Sequence, residues 1–225
     1  MKEKKIIALV PMRHHSQRVP GKNFRPLAGK PLYHYIISTL LSVTRIKSVV
    51  VDTDSPQIIA GLKEFFPLVT ILERPDHLKA DTIPMNDILL HDTSQVEADV
   101  YLQTHSTNPL LKVETINRAI DTFLKEFPTR RDSLFSVTRL QTRLWDQDGK
   151  PINHNPSILL QTQDLPPVFE ENSCLYMFTK ENLEKRNNRI GNNPLMFEIN
   201  SDEAWDIDGE LDFSITEFLM QNKNS

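Results

Sequence analysis

The chain has 225 residues, 39% of them hydrophobic, enough for one well-filled core with a small appendage, and this predicts one main domain over 1–225. A formal charge of −4 excludes general nucleic-acid binding, which relies on a broad basic face, and the single cysteine, Cys174, cannot close an internal disulfide. The apolar run at 6–10 is too short for a signal core or a membrane span, so a cytoplasmic protein with no nucleic-acid or membrane partner is expected.

"KKIIALV" at 4–10 reads as a buried strand, because apolar residues occupy both of its alternating faces. A loop rich in Arg and Lys follows, and then "PLYHYIISTLLSV" at 31–43, whose apolar spacing and leading Pro31 predict a helix. "KSVVVDTD" at 47–54 is a second strand. "SPQIIAGLKEFF" at 55–66 is a helix with Ser55 as N-cap and Pro56 behind it. "LVTIL" at 68–72, "ADVYLQT" at 98–104 and "DSLFSV" at 132–137 read as further strands, with helices at 84–95 and 113–127 between them. This alternation predicts an α/β fold of three layers, a mostly parallel twisted sheet with helices on both faces. Ligands of such sheets sit beyond the carboxyl ends of the strands, so the loops after Val10, Val51 and Leu102 should face one crevice. The alternation lapses over 139–171, which reads as an inserted, small antiparallel arm. "SCLYMFT" at 173–179 resumes as a strand, and "GELDFSITEFLMQ" at 209–221 closes the chain as an amphipathic helix.

Charge is distributed unevenly. From Lys4 to Lys47 there are nine Lys or Arg and no acid, whereas from Leu195 to Asn222 there is no Lys or Arg and Glu198, Asp202, Glu203, Asp206, Asp208, Glu210 and Asp212 crowd together. Two readings stand: the blocks attract one another across the surface, or they are two halves of one site. The loop "VPMRHHSQRVPGKNFRPLAGKP" favours the second reading. It sets Ser16, Gln17 and Asn23 as neutral donors among Arg13, Arg18, Lys22 and Arg25, the combination that phosphate oxygens require. Neither GxxxxGK[ST] nor GxGxxG is present, which sets aside the P-loop and dinucleotide readings.

"PMRHHSQRVPGKN" resembles the signature loop of the acylneuraminate (CMP-sialic acid synthetase type) cytidylyltransferases, P-A-R-x-x-S-x-x-I/V-P-x-K-N. "VVVDTDS" at 49–55, "RPDHLKADT" at 74–82, "YLQTHSTNPLL" at 101–111, "DSLFSVT" at 132–138, "NSCLYMF" at 172–178 and "WDIDGELDF" at 205–213 resemble that family's successive blocks, in order. The resemblance implies a Rossmann-like nucleotidyltransferase fold and transfer of CMP from CTP to the anomeric hydroxyl of a 2-keto sugar acid, with release of pyrophosphate. It also implies that Arg13, Ser16, Lys22 and Asn23 cradle the triphosphate, with Arg13 and Lys22 catalytic. Arg74, Asp81 and Thr82 would surround cytosine and ribose, and Gln103, Asn172 and Ser173 would meet the acidic sugar acceptor. Asp206 and Asp208 would hold Mg²⁺, with Mn²⁺ as a substitute, and be catalytic through it; the arm would pack across a homodimer partner.

Bland alternatives accompany several of these residues. Asp208 also suits the N-cap of the last helix, Arg74 a surface site, Gln103 a strand-end polar group and Asp54 a simple turn. Cys174 reads as a packed core thiol. His14 and His15 read as solvated or phosphate-facing imidazoles, since adjacent side chains diverge and no third metal ligand is spaced to join them. They depart from the family, which carries small residues there. His105 and Leu111 are further departures, on the expected acceptor side. Two other functions stay open: a cytidylyltransferase using another acceptor, such as a different 2-keto acid sugar or a phosphonate, and a non-catalytic nucleotide-binding scaffold.

Overall fold

Apolar strands followed by amphipathic helices carry this chain, and the computed structural model describes it over residues 3–222. The outermost positions of the expected 1–225 domain, 1–2 and 223–225, lie outside the described residues. In chain order, β1 (Ile6–Leu9) leads through the basic loop and a short hairpin, β2 (Pro26–Leu27) and β3 (Lys30–Pro31), into α1 (Leu32–Leu41). β4 (Ile46–Thr53), α2 (Pro56–Phe65), β5 (Thr70–Glu73), α3 (Met85–Gln95), β6 (Val100–Gln103) and α4 (Val113–Glu126) continue the alternation. β7 (Ser133–Leu140) and β8 (Val168–Phe178) flank the excursion, and α5 (Lys180–Arg186), β9 (Pro194–Glu198) and α6 (Glu210–Asn222) complete the chain.

Seven strands join in the order β5-β4-β1-β6-β8-β7-β9. β1 pairs in parallel with β4 and β6, β4 with β5, and β7 with β9, while β8 runs antiparallel to both β6 and β7. The sheet is therefore mostly parallel, as its sequence predicts. Alternation along β1 explains why both faces are covered. Ile6, Ala8 and Val10 pack with Tyr33, Ile36 and Ile37 of α1, Ile58 of α2 and Ile116, Ile120 and Phe123 of α4, whereas Ile7 and Leu9 pack with Leu89 of α3 and Leu183 of α5. Ser55 caps α2 as expected, its hydroxyl accepting the Ile58 N–H at 3.3 Å. Among the described residues no helix is long and apolar enough to cross a membrane.

The excursion is narrower than the expected 139–171. β7 runs on to Leu140 and β8 begins at Val168, because Val137–Leu140 and Val168–Glu171 pair antiparallel as its stem. Beyond that stem, Ile158 is 56% exposed and Leu159 91% exposed, with Trp145 and Ile152 also in the open. α5 and β9 lie in segments for which the sequence reading assigned no element. "KENLEKR" is short and charged, and "PLMFE" is a five-residue run whose strand character comes from pairing with β7.

A third, small core decides where the site forms. Val19 from the basic loop, Leu27 from β2, Leu32 from α1, and Ile207 and Phe213 from the acidic end are packed together, with Ile207 fully buried. It pins the acidic segment against the basic loop through dispersion and desolvation rather than charge. Ile207→Ala is expected to cost about 2–5 kcal/mol, as for other buried Ile or Leu truncations. Urea unfolding followed by circular dichroism measures it, and a loss below about 2 kcal/mol, the least such truncations show, would contradict this view of the cluster.

Candidate active site

Strand order reverses at β1, with β4 and β5 on one side and β6 on the other, so a crevice opens at the carboxyl ends. A cleft of about 520 Å³ occupies it. Its walls come from the basic loop (Met12, Arg13, His15–Arg18, Lys22, Asn23), the segment after β5 (Arg74, Asp81), the segment after β6 (His105–Thr107), Ser173, and Asp206 and Asp208. The loop after β4 does not line it, contrary to expectation. Instead, Asp54 Oδ1 accepts the His14 N–H at 2.7 Å and Ser55 Oγ lies 2.8 Å from His14 Nδ1, so that loop braces the basic one from behind. His14 is therefore half-buried and does not line the cleft: its ring stacks on Phe24, while His15 lines the cleft.

Local rules shape the basic loop. Gly21 has φ +64°, and a Cβ there would stand 2.7 Å from the Phe24 ring, so no other residue fits this turn without displacement. Ser16 Oγ accepts the Val19 N–H at 3.4 Å. Asn23, nearly buried, donates from Nδ2 to the Arg13 carbonyl (2.7 Å) and accepts from Ser106 Oγ (2.6 Å), tying the loop to the end of β6. Arg13 Nη1 donates to Asp81 Oδ1 at 2.8 Å, and Gln17 Nε2 to Asp81 Oδ2 at 3.1 Å. These contacts, Gln17 foremost, hold Asp81 below its usual range. Lys22 Nζ donates to the Ile207 carbonyl at 2.6 Å. Burial lowers the Lys22 pKa, opposed by Asp206 and Asp208.

Asp206 and Asp208 flank Ile207, whose side chain is buried, and both carboxylates line the cleft. Asp206 Oδ1 is buried without a hydrogen-bond partner, although Thr107 bonds the carboxylate. Burial raises the Asp206 pKa, with the Asp208 charge adding to the effect. Asp208 Oδ1 receives Arg18 Nη2 at 2.8 Å across an exposed pair, an interaction of little intrinsic worth that a stronger cation can replace. Asp208 does not cap α6. Asp212 Oδ2 reaches back to accept the Asp208 and Gly209 N–H groups at 3.1 and 2.7 Å, which frees the Asp208 side chain for the cleft. An orphaned buried oxygen beside a second carboxylate is a donor set that fits a hard divalent cation.

Other expected residues fall in three ways. Arg74 is 3% exposed rather than a surface group: it lines the cleft, and its Nε donates to Asp52 Oδ1 at 2.5 Å. Thr82 is exposed and does not line the cleft. Gln103 is buried behind it, with Nε2 3.1 Å from His105 Nε2 and Oε1 receiving Arg189 Nη1 at 2.5 Å. Asn172 lines an adjoining acidic hollow with Glu170, Glu171, Asp206, Asp208 and Asp212; its Oδ1 accepts the Ser136 hydroxyl. Ser173 borders both spaces from the left-handed region, at φ +56°. Leu111 is a core residue at 2% exposure, so its departure from the family touches packing and not the cleft. His105 does line the cleft, and burial, with the Arg189 and Lys22 charges, pushes its pKa down to about 3, which keeps it neutral. Cys174 is buried and its thiol is pushed up to about 12 by burial, as a core thiol should be. Sequence reading missed Arg189 and Asp52: an arginine in an Asn-rich turn and an aspartate ending an apolar strand carry no local signal.

A parallel sheet whose switch-point cleft joins a cation-rich loop to paired carboxylates is the frame of a nucleotide-handling α/β enzyme. The family model described as Cytidylyltransferase matches residues 7–223, and the chain belongs to that family. It is a nucleotidyltransferase. The Campylobacter coli "Post-translational flagellin modification protein B" is 28% identical over 97% of this chain and 96% of its own length. The Legionella pneumophila CMP-N,N'-diacetyllegionaminic acid synthase is 30% identical over 96% and 97%. A solved structure of CMP:2-keto-3-deoxy-manno-octonic acid synthetase complexed with CTP shares the fold with TM-score 0.77 at 16% identity, covering 97% of this chain and 99% of that one.

The donor set leads to a measurement that needs no turnover. Added Mg²⁺ is expected to raise the melting temperature of the wild type, by the equivalent of about 2.7 kcal/mol at roughly a hundredfold excess over Kd. The Asp206→Asn/Asp208→Asn variant should show no such response in differential scanning fluorimetry. An equal rise in both proteins contradicts the assignment.

Proposed function

We propose that this chain transfers CMP from CTP to the anomeric hydroxyl of a 2-keto sugar acid of the nonulosonic type, releasing pyrophosphate. The observation that carries the reading is the convergence of Arg13 and Lys22 with Asp206 and Asp208 on one cleft. The name of the Legionella pneumophila relative points to the same acceptor class. In this reading the triphosphate displaces Asp81 from Arg13, and the guanidinium then bonds phosphate oxygens through the donors it now gives to Asp81. Lys22, anchored on the Ile207 carbonyl, places a fixed cation where charge develops. Ser16 and Asn23 keep the loop in shape around it. A divalent cation held by Asp206 and Asp208, Mg²⁺ or Mn²⁺, would supply charge neutralisation and lower the pKa of the attacking hydroxyl. Arg74 faces cytosine and ribose, and the hollow bordered by Asn172 and Ser173 takes the acceptor sugar, with Gln103 supporting it from behind the wall. We place the reaction in the cytoplasm.

The arm fits a homodimer. Ile158, Leu159, Trp145 and Ile152 stand out from the subunit, and burying them against a second copy removes apolar surface from water. Light scattering at micromolar concentration is expected to give the dimer mass, and a monomer with full activity refutes this assembly.

A pyrophosphate-release assay across a panel of nonulosonic acids tests the reaction itself. CTP is expected to be preferred over UTP, ATP and GTP, because a site built to bond the cytosine amino group leaves polar atoms unpaired with other bases. Asp206→Asn or Asp208→Asn should cut turnover by about a hundredfold or more. EDTA should abolish activity and added Mg²⁺ restore it, whereas Lys22→Ala should remain impaired at saturating Mg²⁺. Equal rates with all four nucleotides, or full activity in the double aspartate variant, overturn the reading.

A further inference from the structure

Arg74 of the cleft wall is held from behind by a buried charge cluster whose two aspartates the chemistry above does not use. Asp52 ends β4 fully buried, Arg74 follows β5 at 3% exposure, and Asp92 on α3 is 1% exposed. Arg74 places Nε and Nη2 on the same oxygen, Asp52 Oδ1, each at 2.5 Å. One ligand atom from each of Asp52, His91 and Asp92 lies within 4.8 Å of the others. With both acids ionised, Asp52 Oδ2, both Asp92 oxygens and Arg74 Nη1 have no hydrogen-bond partner. With the half-buried His91 imidazole beside them neutral, one guanidinium would then face two carboxylates among buried groups, leaving an unpaired negative charge of the kind proteins do not bury.

A single proton resolves the charge and the orphaned oxygens together, since an Asp92 hydroxyl can donate to the free oxygen of Asp52. A divalent cation would not, because it would stand against a guanidinium already fixed on Asp52. We propose that Asp52 and Asp92 share one proton, which makes Asp92 a neutral donor and Asp52 the sole anion orienting Arg74 in the wall of the nucleotide cleft. Asp52 and Asp92 are thus positioning residues acting through Arg74, and their effect on CTP rests on the nucleotide reading of that cleft.

The charged and titratable groups that face the pair are Arg74 after β5, His91 on α3 and the two aspartates themselves, on β4 and α3. Burial first, then the Asp52 charge, pushes Asp92 up to about 8 from its ordinary 3.8. The folded value therefore exceeds the unfolded one. Stability tied to the protonated carboxyl is complete below the unfolded pKa and is lost as pH rises through about 8. Arg74 loosens over the same interval, because two anions then compete for it.

Three readouts on wild type and Asp92→Asn test this. Difference infrared spectra at neutral pH should show a protonated-carboxyl stretch in the wild type that is missing from the variant. The melting temperature of the wild type should fall across the alkaline limb, and that of Asp92→Asn, whose amide keeps a donor and cannot titrate, should not. By calorimetry the wild-type Kd for CTP should weaken by about tenfold from roughly pH 7 to pH 9, following the fraction of protein still protonated, while the Asp92→Asn value stays flat. Asp92→Leu, which removes the donor, should bind CTP weakly at both pH values. An identical infrared band in wild type and Asp92→Asn, or the same alkaline loss in both, overturns the shared proton. So does Mn²⁺ binding to Asp206→Asn/Asp208→Asn that disappears when Asp92→Asn is added. If the infrared and melting results hold but CTP does not bind at all, the shared proton stands and the nucleotide reading fails.

Discussion

The clamp between the basic loop and the acidic C-terminal segment is the constraint on which the cleft depends. Arg18 meets Asp208 across 190 residues of sequence, Lys22 donates to the Ile207 carbonyl, Arg25 Nη1 reaches both Glu210 oxygens at 2.7 Å, and the Ala28 N–H donates to Glu217. Exposed ion pairs of this kind contribute little singly. Ile207 and Phe213, packed on Val19, Leu27 and Leu32, supply the apolar anchor that makes the charged contacts simultaneous. Without that anchor the last helix would have no reason to sit across the mouth of the first loop.

The opposed charge blocks meet in two ways, at different residues. Arg25–Glu210 is attraction across the surface, and the Ala28 N–H adds a hydrogen bond to Glu217. Arg13, Lys22, Asp206 and Asp208 face inward to one space. Two of these inward groups carry unspent electrostatics: burial lowers the Lys22 pKa and raises that of Asp206, and Asp206 Oδ1 has no partner. Exposed pairs such as Arg13–Asp81 and Arg18–Asp208 occupy the remaining charges without committing them, which suits groups that must change partner when an anion or cation arrives.

The contrast with Asp52, Arg74 and Asp92 is one of solvent. There water is excluded, charge must balance locally, and the arrangement is accordingly tight, with Arg74 committed to one oxygen of Asp52. On the proposed reading, a rigid rear wall and exchangeable front pairs would give the cleft a fixed shape for a base and adjustable charge for phosphates.

Sequence by itself determined the strand–helix alternation, the Ser55 cap, the two-faced burial of β1 and the cation-rich character of the loop, because each rests on periodicity or on neighbours within a few residues. The signature blocks also brought Arg13, Lys22, Asp206 and Asp208, which line the cleft, to notice in advance. Only tertiary structure decided the rest. β9 is a strand because β7 lies beside it, and His14 turns away from the cleft because Asp54 and Ser55 hold it. Asp208 is free for the cleft because Asp212, four residues on, takes the capping role. Arg74 and Asp92 look like ordinary surface charges in the sequence, and they are buried beside Asp52 because α3 packs its Leu89 and Met85 with Val50 of β4 and Leu72 of β5. Burial and long-range pairing set the protonation and direction of such side chains, and neither is encoded in any local pattern of residues.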